Sequence, residues 1–120
     1  MIGKLTGLFR RPAALTATAA QKKVSNGAVL LDVRDLPEWR AGHAPQARHL
    51  PLGDLRDRLT ELPKDTPVVA VCRSGRRSAI AARLLTRHGY TASNLTGGMH
   101  AWVAAGLPVV TQKNRPGQII

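Results

Sequence analysis

Hydrophobic positions along the chain fall into short blocks that alternate between two patterns. Ala28-Val29-Leu30-Leu31-Asp32-Val33 is an apolar run broken only by Asp32, as expected of a strand buried on both faces. Pro67-Val68-Val69-Ala70-Val71 is a second such run, and it ends at Cys72. Residues 47–50 and 92–95 are candidate shorter strands. Between these blocks the apolar residues recur at helical spacing. Thr16 is placed to cap a helix over residues 17–25, which Asn26-Gly27 ends. Pro37-Glu38-Trp39 opens a short helix that Gly42 closes. Leu52, Leu55, Leu59 and Leu62 predict one helix, stopped by Pro63. Ser78 is expected to start a helix running through Ala79, Ile80, Ala82, Arg83, Leu84 and Leu85 to Gly89. Gly97-Gly98 precedes a last helix around Trp102, terminated by Gly106 and followed by Pro108.

Short strands alternating with helices predict an α/β domain with a mainly parallel sheet. The 120 residues, 43% of them apolar, suit one domain with one sizeable core. Residues 1–14 read as a weakly ordered basic arm, 15–110 as the folded domain and 111–120 as a polar tail expected to fray. A leader peptide cleaved near Ala17-Thr18-Ala19 would need an apolar stretch that Arg10, Arg11 and Pro12 interrupt. No apolar run approaches the roughly 20 residues that span a bilayer. A soluble, cytoplasmic protein without a membrane span is expected.

Charge sharpens the picture. The formal net charge is +11, and all seven acids lie between Asp32 and Asp65, leaving residues 66–120 with seven Lys/Arg and no acid. Such a field concentrates anions without choosing among nucleic acid, acidic surfaces and small anionic substrates. The only aromatics are Phe9, Trp39, Tyr90 and Trp102, so no stacking platform for single strands is evident, and nucleic acid is not the expected partner.

The single cysteine, Cys72, excludes an internal disulfide and a cysteine-rich metal site. It opens the segment Cys72-Arg73-Ser74-Gly75-Arg76-Arg77-Ser78. A buried strand carries the thiol to the carboxyl edge of the sheet, where open α/β folds place their ligand sites. A helix begins directly afterwards, so its unpaired N–H groups should point back at the sulfur. Gly75 lets the backbone curl into a concave anion nest, and Arg73, Arg76 and Arg77 add positive charge at its mouth. Helix N-termini and cationic neighbours lower a thiol pKa from about 8.5 to between roughly 3.5 and 7.5. A thiolate nucleophile and an anion site are thus expected from one loop.

Three separated motifs resemble the signatures of the rhodanese family. Leu31-Asp32-Val33-Arg34 with Glu38-Trp39, Gly42-His43-Ala44-Pro45 and Ala47 is similar to the first. Val69 to Ser78 is similar to the active-site loop. Gly97-Gly98-Met99-His100-Ala101-Trp102 through Gly106-Leu107-Pro108-Val109 is similar to the closing signature. The resemblance covers about residues 15–110. It implies a five-stranded, mainly parallel sheet flanked by helices on both faces. It also implies a thiosulfate sulfurtransferase: Cys72 takes the sulfane sulfur of a small anionic donor such as thiosulfate as a persulfide, then passes it to cyanide or a thiol. A thiol-carrying protein is a further candidate acceptor, and this chemistry calls for no cofactor. On the same mapping, backbone N–H groups of residues 73–77 (Arg73, Ser74, Gly75, Arg76, Arg77) hold the persulfide, and the three arginines attract anions. Ala44 and Gln46 depart from the family pattern at the turn after His43.

Other residues are assigned more plainly. Asp32 and Arg34 are expected to support the site, as a structural ion pair or through hydrogen bonds, rather than to catalyse, and Ser78 is a further supporting residue. His43 reads as a turn residue, and Trp39 and Trp102 as core anchors of short helices. His49, His88 and His100 show no metal-ligand spacing, and no metal is expected. A Cys-His-Asn arrangement using Asn94 has no support in the local sequence. Two rivals remain. A phosphatase of related fold would need a loop one residue longer, with Arg where Ser78 stands. A non-enzymatic basic binding module would need only the charge.

Overall fold

The computed structural model describes residues 11–120, so the first ten residues of the expected basic arm lie outside the described part. The elements follow in the order β1 (Ala13–Leu15), α1 (Ala17–Ser25), β2 (Val29–Asp32), α2 (Leu36–Ala41), β3 (Arg48–His49), α3 (Leu52–Leu55) continuing into a 3₁₀ turn (Arg56–Glu61), β4 (Val68–Val71), α4 (Arg76–Arg87), β5 (Ala92–Leu95) and α5 (Gly98–Ala104). The five strands form one parallel sheet in the order β1-β5-β4-β2-β3.

Alternation along β4 decides what each face of the sheet buries. Val68, Ala70 and Cys72 point into one apolar cluster with Leu31, Leu55, Ala81, Ala82, Leu85 and Tyr90, under α3 and α4. Val69 and Val71 point into the other, with Leu30, Leu95, Met99 and Trp102, under α1 and α5. Helices therefore cover both faces, which is why the two strand sequences read as continuous apolar runs. The chain leaves β2 towards β3 on one side and leaves β4 towards β5 on the other. Between the carboxyl ends of β2 and β4 lies the switch point where such sheets hold ligands. Cys72 is the first residue beyond β4.

Several boundaries differ from expectation, each for a physical reason. Ala13 and Ala14, assigned to the arm, pair with Ser93 and Asn94 as edge strand β1; three residues are too few to display a period. The helix expected over Leu52–Leu62 gives way after Leu55 to a 3₁₀ segment, Arg56–Glu61, which is itself kinked at Arg58 (φ −118°, ψ 17°). The helix expected from Ser78 starts at Arg76, because Gly75 caps it at φ 112° and two loop arginines enter the first turn. The tail does not fray. His43 and Val110 exchange backbone hydrogen bonds of 2.9 Å, Gln118 N–H donates to the Ala41 carbonyl at 2.8 Å, and Ile119 packs on the α1–α5 cluster. Gly42 makes this docking possible, since a Cβ there would lie 2.5 Å from the Gln118 carbonyl oxygen. Thr16 caps α1 as expected, its Oγ1 accepting from Ala19 N–H at 3.1 Å.

Candidate active site

Cys72 sits where strand pairing has ended and helical pairing has not begun. The N–H of Gly75 donates to its Sγ at 3.0 Å. The Ser78 hydroxyl, in the first turn of α4, lies 3.2 Å from the same sulfur. The loop amides face inward because its carbonyls are held outward. Met99 N–H donates to the Cys72 carbonyl at 2.8 Å and His100 N–H to that of Arg73 at 3.2 Å, so the start of α5 clamps the back of the loop. That approach requires Gly98, at φ 58°: a Cβ there would overlap the Cys72 carbonyl oxygen and lie 2.6 Å from the Arg73 carbonyl carbon. The glycine pair of the closing signature thereby serves the cysteine loop.

Burial pushes the Cys72 thiol up. Hydrogen bonds from the Ser78 hydroxyl and from the Ser78, Gly75 and Ser74 amides outweigh it, and the thiol stands below its ordinary pKa. The expected arginine contribution needs correction. Arg73 and Arg76 project into solvent, and Arg77 turns to Glu38 in a two-bonded pair of 2.6 and 2.9 Å. The leading downward causes at the sulfur are donors, not guanidinium charge. Glu38, missed as a site residue, is held below the usual carboxylate range by Arg77, against an opposing desolvation. The cup closes over the sulfur. Only 1% of Cys72 is exposed, although its amides face the sulfur.

A second missed residue closes the network. Asn94, on β5, accepts from the Ser78 hydroxyl through Oδ1 at 2.6 Å and donates through Nδ2 to the Gly75 carbonyl at 3.1 Å. The available signal is a polar residue in a largely buried strand, which must find partners. Its partners could not be read from the chain order.

Asp32 and Arg34 form the expected pair, fully buried, with Arg34 Nη2 at 2.8 Å from Asp32 Oδ2 and 2.7 Å from the Gly42 carbonyl. They brace the first signature against the sheet edge. His43 donates from Nδ1 to the Trp39 carbonyl at 2.7 Å and stacks on the Trp39 ring at 3.6 Å, a turn residue as expected. Trp102 is buried, and its Nε1 donates to the Pro108 carbonyl at 2.8 Å. No cluster of His, Cys, Asp and Glu among the described residues could hold a metal ion, and no helix among them is long and apolar enough to cross a membrane.

Similar proteins identify the family. A family model described as Rhodanese-like domain matches residues 16–105. A sulfurtransferase of Allochromatium vinosum is 43% identical over 83 residues, covering 68% of this chain and 78% of that protein. A putative sulfurtransferase of Bacillus subtilis is 41% identical over 73 residues, covering 61% of this chain and 71% of that protein. Among solved structures, the thiosulfate sulfurtransferase from Pseudomonas aeruginosa is 28% identical with a TM-score of 0.75; the match covers 99% of this chain and only 24% of that one. With a family match over most of its length and relatives named sulfurtransferases, the chain belongs to the rhodanese-like domain family.

Proposed function

We propose that the protein is a sulfurtransferase that moves a sulfane sulfur from thiosulfate or a similar donor to cyanide or a thiol through a persulfide on Cys72. The supporting observation is the donor cup: Gly75 N–H at 3.0 Å and the Ser78 hydroxyl at 3.2 Å converge on the only thiol in the chain. The thiolate attacks the outer sulfur of thiosulfate, the donor's S–S bond breaks, and sulfite departs with the electron pair. Charge then rests on the outer persulfide sulfur, which the inward amides of the loop stabilise. An acceptor thiolate or cyanide attacks that sulfur and returns Cys72 to its thiolate. Arg73 and Arg76, exposed beside the cup, draw the anionic donor inward. A cytoplasmic location, where free thiols stay reduced, fits this chemistry.

A phosphatase reading is disfavoured by Arg77. The residue that closes the loop is engaged by Glu38 instead of facing a phosphoryl site, and Ser78 stands where the longer loop has its arginine. A second reading, a basic binding module, draws support from α4. Arg76, Ile80, Arg83 and Arg87 are exposed at helical spacing on that element, with Ile80 53% exposed, and none of the three arginines is in a salt bridge among the described residues. The same stripe would equally serve a protein acceptor carrying a thiol and an acidic face.

Turnover with thiosulfate and cyanide, followed as thiocyanate, tests the proposal. Activity lost in Cys72→Ser supports it. Hydrolysis of an aryl phosphate that needs Cys72, or salt-sensitive DNA binding with no sulfur transfer, would favour the rivals.

A further inference from the structure

Four contacts within hydrogen-bonding distance form a closed circuit around the sulfur. Sγ accepts from Gly75 N–H at 3.0 Å, and the Gly75 carbonyl accepts from Asn94 Nδ2 at 3.1 Å. Asn94 Oδ1 lies 2.6 Å from the Ser78 Oγ, and that Oγ lies 3.2 Å from Sγ. The circuit has four contacts but only three donor protons, so one contact must go without a proton at any moment. Ser78 has a single O–H, and both Sγ and Asn94 Oδ1 lie within its reach. Reversing the Asn94 amide does not relieve this, because it would set two carbonyl oxygens, Oδ1 and that of Gly75, against each other.

The chemistry proposed for Cys72 changes which acceptor wins. As a thiolate, Sγ carries a full negative charge and is the stronger acceptor. In the forward step, the Sγ lone pair forms the bond to the donor's outer sulfur, the donor's own S–S bond breaks, and sulfite leaves with that pair. One negative charge passes from Sγ to the new terminal sulfur, and no proton moves. Sγ is now a neutral divalent sulfur and a poor acceptor, as it also is in the neutral thiol. The Ser78 hydroxyl then has a better partner 2.6 Å away on Asn94.

We infer that Asn94 is a positioning residue that receives the Ser78 hydroxyl whenever Sγ is uncharged and releases it to Sγ as the thiolate forms, while its amide group holds the Gly75 peptide facing the sulfur. The exchange lowers the energy of the persulfide relative to the thiolate and so helps the loop load sulfur. Its persulfide half rests on the proposed sulfurtransferase reading; its thiol half does not. The charged groups around the cup are accounted for separately. The buried Asp32–Arg34 pair from the β2 end also binds the Gly42 carbonyl and leaves Arg34 Nη1 without a partner among the described residues, Arg77 on α4 is tied to Glu38 from α2, Arg73 and Arg76 face solvent, and the start of α5 brings only the exposed His100.

A double-mutant cycle on the pH profile of Cys72 alkylation by iodoacetamide tests this. Asn94→Ala removes the competing acceptor, so relative to its effect in a Ser78→Ala background it shifts the inflection about half a pH unit lower in the Ser78 background. A purely structural Asn94 would move both backgrounds equally, and that result overturns the inference. Should Asn94→Ala not fold, Asn94→Leu removes the same acceptor at similar volume and should give the same difference between the two backgrounds; equal shifts in both overturn the inference. At a fixed thiosulfate-to-sulfite ratio, Asn94→Ala also lowers the persulfide-to-thiolate ratio about threefold, and an unchanged ratio removes the persulfide half. If wild-type protein takes up no sulfur, the sulfurtransferase reading fails while the alkylation cycle still decides the hydroxyl exchange.

Discussion

The N–H of Met99 donates to the carbonyl of Cys72 at 2.8 Å, joining the last helix to the first residue beyond the central strand. Through this contact the closing signature sets the direction of the loop amides. Turning the Cys72 and Arg73 carbonyls towards α5 leaves the following N–H groups free to face the sulfur.

Gly98 is the residue this contact depends on. A methyl group there meets the Cys72 and Arg73 backbone, and φ 58° disfavours any side chain. Gly98→Ala is expected to cost on the order of 2–3 kcal/mol in urea unfolding. It should also move the Cys72 alkylation inflection upward as the donors lose their aim. Wild-type stability with an unchanged inflection would contradict the clamp.

Arg77 is held by Glu38 at 2.6 Å, with both side chains partly exposed. Glu38→Gln should therefore cost no more than about 1 kcal/mol in stability. It releases a guanidinium beside the cup, so the KM for thiosulfate should fall while that for an uncharged acceptor thiol stays constant. Because Glu38 is held below its ordinary value, this pair's contribution is present above the unfolded carboxylate range and is lost as pH falls through the folded value. Wild-type KM should approach that of the variant only in strong acid.

Only 1% of Cys72 is exposed, so reagents must pass between loop atoms. Alkylation should slow steeply with reagent size: iodoacetamide should react much faster than a bulky maleimide, beyond their ratio on a free thiol. Mild denaturant should erase the difference. Equal relative rates in native protein would mean that the cup stands open.

The lowered thiol links stability to pH. The folded protein binds fewer protons than the unfolded chain between the folded value and about 8.5, so stability rises with pH across that window. It is fully gained above the unfolded value and is lost as pH falls through the folded one. The stability of wild type minus that of Cys72→Ala should therefore grow from neutral to mildly alkaline pH. A difference that is flat or shrinks would contradict the donor cup.

What could be read from the chain follows from how local each cause is. Val68–Val71 declares a buried strand by composition alone, and a cysteine, a glycine and a helix start within seven residues declare a cup. Asn94 and Glu38 reach the site through sheet register and the packing of α2, which no local pattern encodes. The sequence pattern starts α4 at Ser78, whereas Gly75 turns the chain into the helix two residues earlier, at Arg76. The tail misled for a similar reason. Polar composition predicted fraying, while the missing Cβ of Gly42 opened a seat for Gln118.

Intact mass before and after incubation with thiosulfate tests the central claim most directly, because the chain has one thiol. Wild-type protein should gain the mass of a single sulfur atom, lose it on adding cyanide or a thiol, and the Cys72→Ser variant should gain nothing. No gain in folded wild type, or an equal gain in the variant, would contradict a persulfide on Cys72.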